Sequence, residues 1–386
     1  MNIGDIFDVE IIDEDINGNG IARIDNFVIF VKNALFKEVL RIKIVEIDKR
    51  FAVGEIVEFI SKNTLRIENI CDKCNLCGGC NFLHTDYVNE RSIKKKYLDN
   101  LFGCYVDYLE SNNIYNYRNK VVLHVKNNVI GFYNSKTHDI CEIDNCYLLN
   151  NKINETINLF KKLDLSGVSE IMIRVISNEV MVNVICDKFD YDIDVDSLYI
   201  NGKYIKGKKY LVDSIHDLKF TIYPESFYQI NREGMSLIYD RASLYASSGN
   251  RLLDLYCGTG TIGMWMKDNF NEIVGCEINE SSILNAKLNL ELNNISNMKF
   301  VLSDAKNIRG KYDVIVVDPP RSGLSKDVVS FLDNSSALRI VYISCNPKTL
   351  KRDISMLNNY FLSEISACDM FPRTKHIECV ALLERK

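Results

Sequence analysis

The sequence predicts an α/β protein whose last part, residues 225–386, is a doubly wound sheet. A β-rich central domain over 61–224 and a small five-stranded β-barrel over 1–60 precede it. Three observations predict this order. From about Phe227 onward, strand-type apolar runs alternate with segments of helical spacing, as in a sheet with helices on both faces. Before that point the β-type runs are short and separated by turn residues. At 386 residues, the chain is long enough for two or three domains of about 150 residues each.

Composition excludes several classes. Apolar residues make up 47% and charged residues 26% of the chain, a globular balance that rules out a mainly disordered protein. No stretch approaches the ~20 uncharged apolar residues that span a bilayer. Met1-Asn2-Ile3-Gly4-Asp5 lacks the basic-then-apolar opening of a secretory signal. The expectation is a soluble cytoplasmic protein with no membrane partner. Its thirteen cysteines are then metal ligands, nucleophiles or small buried side chains rather than disulfides. A formal net charge of −5 excludes a generally basic nucleic-acid coat but leaves room for one local cationic groove.

Within residues 1–60, Val9-Glu10-Ile11-Ile12 and Phe27-Val28-Ile29-Phe30-Val31 are β-rich runs on either side of Asn17-Gly18-Asn19-Gly20, which is turn chemistry. Runs over 39–47 and 55–60 complete about five strands, a barrel of a size that suits oligonucleotides. A cysteine-rich stretch, 71–80, and a charged segment of helical character, 89–101, follow. The central domain carries strand-type runs at 120–125, 129–133 and 171–176. Strand candidates in the last part fall at 252–256, 272–277, 299–302, 314–318 and 339–343. Between them, residues 281–293 place Ile283, Leu284, Leu288 and Leu292 at helical spacing.

The chemistry lies at the strand ends. In Asp254-Leu255-Tyr256-Cys257-Gly258-Thr259-Gly260-Thr261, a first strand turns into a helix through glycines that let the backbone approach a ligand. Glu277 ends the next strand about 20 residues on, where a carboxylate can accept bonds from both hydroxyls of a ribose. Asp304, beyond the third strand, is placed for the adenine or its neighbourhood. The loop alone fits either a dinucleotide or S-adenosylmethionine. Asp318-Pro319-Pro320-Arg321 then stiffens the end of an apolar strand. In Ser344-Cys345-Asn346-Pro347 a cysteine stands at a strand's carboxyl end, a nucleophile candidate that the adjoining helix N-terminus favours as thiolate. His376-Ile377-Glu378 offers a base. A thiolate, a methyl donor and a carboxylate base are what methylation of uracil C5 needs. C5 becomes nucleophilic only after a thiolate adds to C6, and a base must later take the C5 proton. N-methylation of an exocyclic amine needs no cysteine.

Together these motifs resemble the RNA 5-methyluridine (uracil-C5) methyltransferase family. Ser226-Phe227-Tyr228-Gln229-Ile230-Asn231, the 254–260 loop, Asp318-Pro319-Pro320-Arg321, Ser344-Cys345-Asn346-Pro347 and His376-Ile377-Glu378 match its motifs in order. The resemblance implies a Rossmann-like methyltransferase domain that uses S-adenosylmethionine. It assigns donor contacts to Gln229, Tyr256, Thr261, Glu277, Asp304 and Asp318, the nucleophile to Cys345 and the base to Glu378. Thr261 departs from the asparagine usual there.

Cys71-x2-Cys74-x2-Cys77-Gly78-Gly79-Cys80 is metal-ligand spacing, fitting zinc or a ferredoxin-like iron–sulfur site. The family's ribosomal-RNA branch carries Cys-x5-Cys-Gly-Gly-Cys and a distant fourth cysteine. By that resemblance Cys71, Cys77, Cys80 and Cys146 hold a [4Fe–4S] cluster, with Cys74 left over; spacing alone would allow Cys74 as the fourth ligand. The N-terminal unit resembles the TRAM RNA-binding domain, with Leu35-Phe36-Lys37-Glu38 where Pro-Gly-Glu is usual. Residues 1–60 hold seven Lys/Arg and twelve Asp/Glu. Phosphate affinity must then come from one face, or from Arg91, Lys94, Lys95, Lys96 and the 206–209 stretch. The implied partner is a loop uridine of large-subunit (23S) ribosomal RNA, flipped out of its stack and bound by a monomer. The T-loop uridine of transfer RNA is the alternative. Two readings from other classes compete. A radical methylthiotransferase would need Cys-x3-Cys-x2-Cys, which the chain lacks. A non-catalytic iron–sulfur RNA binder would have no use for Cys345 or Glu378.

Overall fold

A computed structural model describes residues 1–135, 137 and 139–386. The chain divides into two compact units. One comprises Met1–Cys104 with Phe371–His376, the other Tyr105–Met370 with Ile377–Lys386.

The first unit opens with six strands rather than five. They run Ile6–Glu10, Asp13–Glu14, Asn19–Ile24, Phe27–Lys32, Val39–Ile47 and Phe51–Ser61. The added elements are the two-residue strand and Asn19–Ile24, which pairs antiparallel with Phe27–Lys32. The Asn-Gly turn therefore joins those two shorter strands instead of the two apolar runs. Alternate residues (Val9, Ala22, Ile29, Val31, Leu40, Ile42, Ile44) fill the core, as the period of two demands. Lys37 adopts φ +65°, the left-handed conformation that glycine usually supplies. The next residue, Glu38, is fully buried. It accepts from Leu35 N at 2.8 Å and pairs with Arg66 Nε at 2.6 Å.

Helix Tyr87–Phe102 starts at Asp86, whose side chain accepts from Asn89 N, and ends at Gly103 with φ +73°. Its lysines are all ion-paired within this unit. Lys94 is fully buried and ion-paired to Glu90 at 2.7 Å, Lys95 pairs with Asp99, and Lys96 pairs with Asp13. Arg373, also fully buried in this unit, reaches Glu90 Oε2 at 3.1 Å. An unpaired buried cation costs several kcal/mol, so each such charge is matched.

In the second unit a seven-stranded sheet runs from Ile140–Glu142 at one edge to Lys203–Gly207 at the other, with Val168–Ile176 at its centre. Helix Asn151–Phe160 packs Ile153, Ile157 and Phe160 against Leu123, Ile171 and Ile173. Lys206 and Lys208 of the edge region pair with Asp192 and Glu179.

The chain then builds strands β1 (Gly249–Leu255), β2 (Phe270–Glu277), β3 (Met298–Leu302), β4 (Val314–Val317), β5 (Arg339–Ser344), β6 (Tyr360–Cys368) and β7 (Glu378–Arg385). They lie in the order 3-2-1-4-5-7-6, with Asp107–Leu109 beyond β6. Strands β1 to β5 are parallel, and β7 runs antiparallel between β5 and β6. All four residues of β4 are buried, as a strand covered on both faces requires. Helix Glu280–Asn293 forms where the spacing predicts a helix, yet Leu284 is 58% exposed and Leu288 and Leu292 are exposed as well. Its inner face is Ile283, Asn285, Ala286 and Asn289, because Asn285 and Asn289 hydrogen-bond Thr221. Among the described residues no helix is long and apolar enough to cross a membrane.

Candidate active site

The parallel strands all end at one edge of the sheet, and β7, running the other way, begins there. Ser344 of β5 pairs with Cys379 of β7. The next position across that ladder sets Cys345 beside Glu378, where antiparallel neighbours lie about 5 Å apart at Cα. Asp318 follows β4 on the other side of β5.

The cysteine loop is rigid. Ser344 Oγ accepts from Asn346 N at 3.1 Å, and Asn346 Oδ1 caps the helix Pro347–Ile354 by accepting from Lys348 N. Half-buried Cys345 has its thiol pushed up to about 11. Burial is the main cause, reinforced by the carboxylates of Glu378 and Asp318 and opposed by Arg321. The expected lowering by the helix N-terminus is therefore outweighed in the resting cleft: two nearby acids and poor solvation disfavour a further negative charge. Glu378 is pushed well above the carboxylate range by burial and by Asp318. Asp318 lies deep in the cleft while keeping some solvent contact, and burial lifts it to about 7.

At the end of β1 the backbone turns sharply. Tyr256, Gly258 and Gly260 all take positive φ, of 63°, 52° and 81°. A side chain in that conformation is strained and is found chiefly where function holds it. A Cβ on Gly258 would meet nothing within 4 Å, so its open side faces free space. Glu277 is fixed by backbone donors: Gly258 N reaches Oε2 at 3.1 Å, and Ile278 N and Asn279 N reach Oε1 at 2.8 Å each. Oε1 already accepts two bonds, and Oε2 keeps a lone pair for a ligand. Asp304 caps Lys306 N at 3.1 Å and pairs with the Lys306 ammonium, which holds its carboxyl below the usual range. Tyr256 and Asp304 line a cavity of about 590 Å³ together with Pro320 and Arg352. Thr261 opens the short helix Thr261–Trp265, and its hydroxyl lies 2.9 Å from the hydroxyl of Tyr239.

Gln229 sits in a segment stapled from below. Arg174, buried in the central sheet, donates to the carbonyls of Tyr223 at 3.0 Å and Ser226 at 2.9 Å, and Asn119 donates to that of Gln229 at 3.0 Å. Asn231 then caps the helix Arg232–Ala246. Phe227 stands 69% exposed in this otherwise fixed segment. Arg174, Asn119 and Tyr239 carry no local sequence signal, since their partners are distant in the chain. Asp254 could have been singled out as the acid two residues before the turn. It is fully buried, its Oδ2 accepts from Gly263 N at 3.0 Å, its Oδ1 has no partner among the described residues, and burial pushes it up to about 8.

All eight residues expected to bind the donor or act on the base belong to the second unit, at this edge or in the segments beside it. His376 belongs to the first unit, where its backbone N donates to Thr374 Oγ1 at 3.3 Å.

In the first unit, Cys74–Cys77 form a single helical turn ended by Gly78 at φ +65°. Cys77 Sγ accepts from Gly79 N at 3.4 Å, and Cys74 is buried. Cys146 belongs to the second unit, where its backbone N–H and C=O are both bonded to the Asn154 side chain. Among the described residues no three of His, Cys, Asp or Glu are assembled as a metal site. The thiol donor set itself suits iron–sulfur chemistry.

Comparison with known proteins agrees with this architecture. The sequence model of the tRNA (Uracil-5-)-methyltransferase family matches residues 111–386, and that of the TRAM domain matches residues 2–57. An RNA methyltransferase of Clostridium acetobutylicum is 31% identical, over 95% of this chain and 94% of its own length. One from Staphylococcus aureus is 32% identical over 96% of each. The crystal structure of Pyrococcus abyssi tRNA (uracil-54, C5)-methyltransferase in complex with S-adenosyl-L-homocysteine superposes with a TM-score of 0.84 at 28% identity. It covers 98% of this chain and 100% of that one. The chain thus belongs to the RNA uracil-5-methyltransferase family, S-adenosylmethionine-dependent enzymes, and carries a TRAM domain at its N-terminal end.

Proposed function

We propose that this enzyme methylates C5 of a loop uridine in large-subunit (23S) ribosomal RNA through a covalent adduct at Cys345. The observation that carries this reading is the β5–β7 register, which sets Cys345 beside Glu378 at the cofactor edge of the sheet. Gln229, Tyr256, Thr261, Glu277, Asp304 and Asp318 would hold S-adenosylmethionine, which supplies an electrophilic methyl group. Cys345, half-exposed, gives its proton to solvent and its sulfur adds to C6. The C5=C6 electrons move toward O4, and C5 then takes the methyl. Glu378 as carboxylate removes the C5 proton, the double bond re-forms and the sulfur leaves. We take the working unit to be a monomer.

The target ring must be unstacked to meet the thiol, which favours a loop. Large-subunit RNA is favoured by the cysteine pattern, and transfer RNA by the likeness to the Pyrococcus abyssi enzyme, whose substrate is uridine 54 of transfer RNA. We assign Cys71, Cys77, Cys80 and Cys146 to a [4Fe–4S] cluster. Because methyl transfer is polar, that cluster supplies structure or RNA contact and no electrons.

Given both RNAs and labelled methyl donor, the enzyme should label a uridine of large-subunit RNA; label confined to transfer RNA would overturn the ribosomal assignment. Cys345→Ala should abolish labelling. Glu378→Gln should slow turnover about 10²–10⁴-fold and accumulate a protein–RNA adduct, and free turnover would remove Glu378 as base.

The acids fix the pH dependence. Cys345 and Glu378 both titrate high, and both are raised in part by Asp318. At saturating donor the rate should climb with pH through neutrality and above, as thiolate and carboxylate appear. Asp318→Asn removes a negative charge that opposes both ionisations, so its rising limb should move to lower pH; a move to higher pH would contradict this electrostatic account. For the cluster, Cys146→Ala reconstituted without oxygen should lose the iron–sulfur absorbance. Full absorbance with unchanged iron and sulfide content would remove Cys146 from the ligand set.

A further inference from the structure

The hydroxyl of Tyr239 has no place in the proposed reaction, yet it lies against Thr261, a residue assigned above to the methyl donor. Tyr239 projects from the helix Arg232–Ala246 and is 3% exposed. Its hydroxyl is 2.9 Å from Thr261 Oγ1. Its ring packs edge-on against Trp265, with centroids 5.4 Å apart, at the end of the same short helix that Thr261 begins. The phenol is therefore held from two sides, and burial keeps it protonated by pushing its pKa up. A polar side chain that must be ordered on binding loses conformational entropy at that moment. One that is already hydrogen-bonded in place does not incur that cost again.

We propose that Tyr239 is a positioning residue for the methyl donor: its hydroxyl fixes the side chain of Thr261 in the orientation that receives the donor. This rests on the reading that the β1 edge holds S-adenosylmethionine. It also accounts for a threonine at a position where asparagine is usual. A threonine hydroxyl has a shorter reach and a rotatable proton, and an adjoining phenol restricts both.

The test is a double-mutant cycle on the affinity for S-adenosylhomocysteine, measured by titration calorimetry on the full chain. Tyr239→Phe keeps the ring and removes only the hydroxyl, and Thr261→Val keeps the shape and removes the other partner. Tyr239→Phe should weaken binding about tenfold, Thr261→Val at least as much, and the double variant no more than Thr261→Val alone, because the phenol acts only through the threonine. Thr261→Ser, which retains a hydroxyl, should bind as the unaltered protein does. At saturating donor, Tyr239→Phe should recover its maximal methylation rate, a split between KM and kcat that general destabilisation would not give. Unchanged affinity in Tyr239→Phe, or a double variant weakened about tenfold beyond Thr261→Val alone, would overturn the inference. Unaltered protein that bound no S-adenosylhomocysteine would overturn the cofactor reading itself, and this inference with it.

Discussion

Everything at the candidate site depends on one backbone constraint, the insertion of β7 antiparallel between β5 and β6. A sheet that continued in parallel would carry the start of its next strand to the opposite edge, away from the ligand crevice. Reversal of β7 brings its first residue to the edge where β5 ends. The pair Ser344 and Cys379 then fixes which residues meet. A slip of one residue would turn every side chain of β7 to the other face. Since Glu378 to Leu383 are buried, such a slip would put Glu378 out of the cleft and leave the interior poorly filled. Register therefore specifies the chemistry.

The second governing feature is charge crowding. Asp254, Asp318 and Glu378 are all held above the ordinary carboxylate range, chiefly by burial, and Cys345 is raised by the same environment. A cleft of this kind resists further negative charge and favours a cation. The sulfonium of S-adenosylmethionine is a cation, so its arrival relieves part of the cost that keeps these groups protonated. On the proposed mechanism, the resting thiol is protected from adventitious ionisation, and the methyl donor itself makes the nucleophile easier to form.

Much of this was legible in the sequence, for identifiable reasons. The strand candidates of the C-terminal part fall on β1 to β5, because parallel strands covered on both faces read as continuous apolar runs. The glycine turn, Glu277, Cys345 and Glu378 sit at strand ends, where motif and topology coincide. What sequence could not give was set by distant partners. Leu284, Leu288 and Leu292 have helical spacing but face solvent, because two asparagines of the same helix bond to Thr221. Lys94 reads as a candidate phosphate contact and is buried, because Glu90 matches its charge. Strands β6 and Asp107–Leu109 were missed altogether, and Tyr239 became visible only when Thr261 was brought beside it.

The most direct measurement replaces the target uridine with 5-fluorouridine. Fluorine at C5 cannot leave as a proton does, so the reaction should stall after methyl transfer with the ring still bonded to sulfur. Mass spectrometry of the digested complex should then find a methylated fluorouridine on the peptide containing Cys345. Its attachment to any other residue, or methylated RNA released without an adduct, would contradict covalent catalysis by this cysteine.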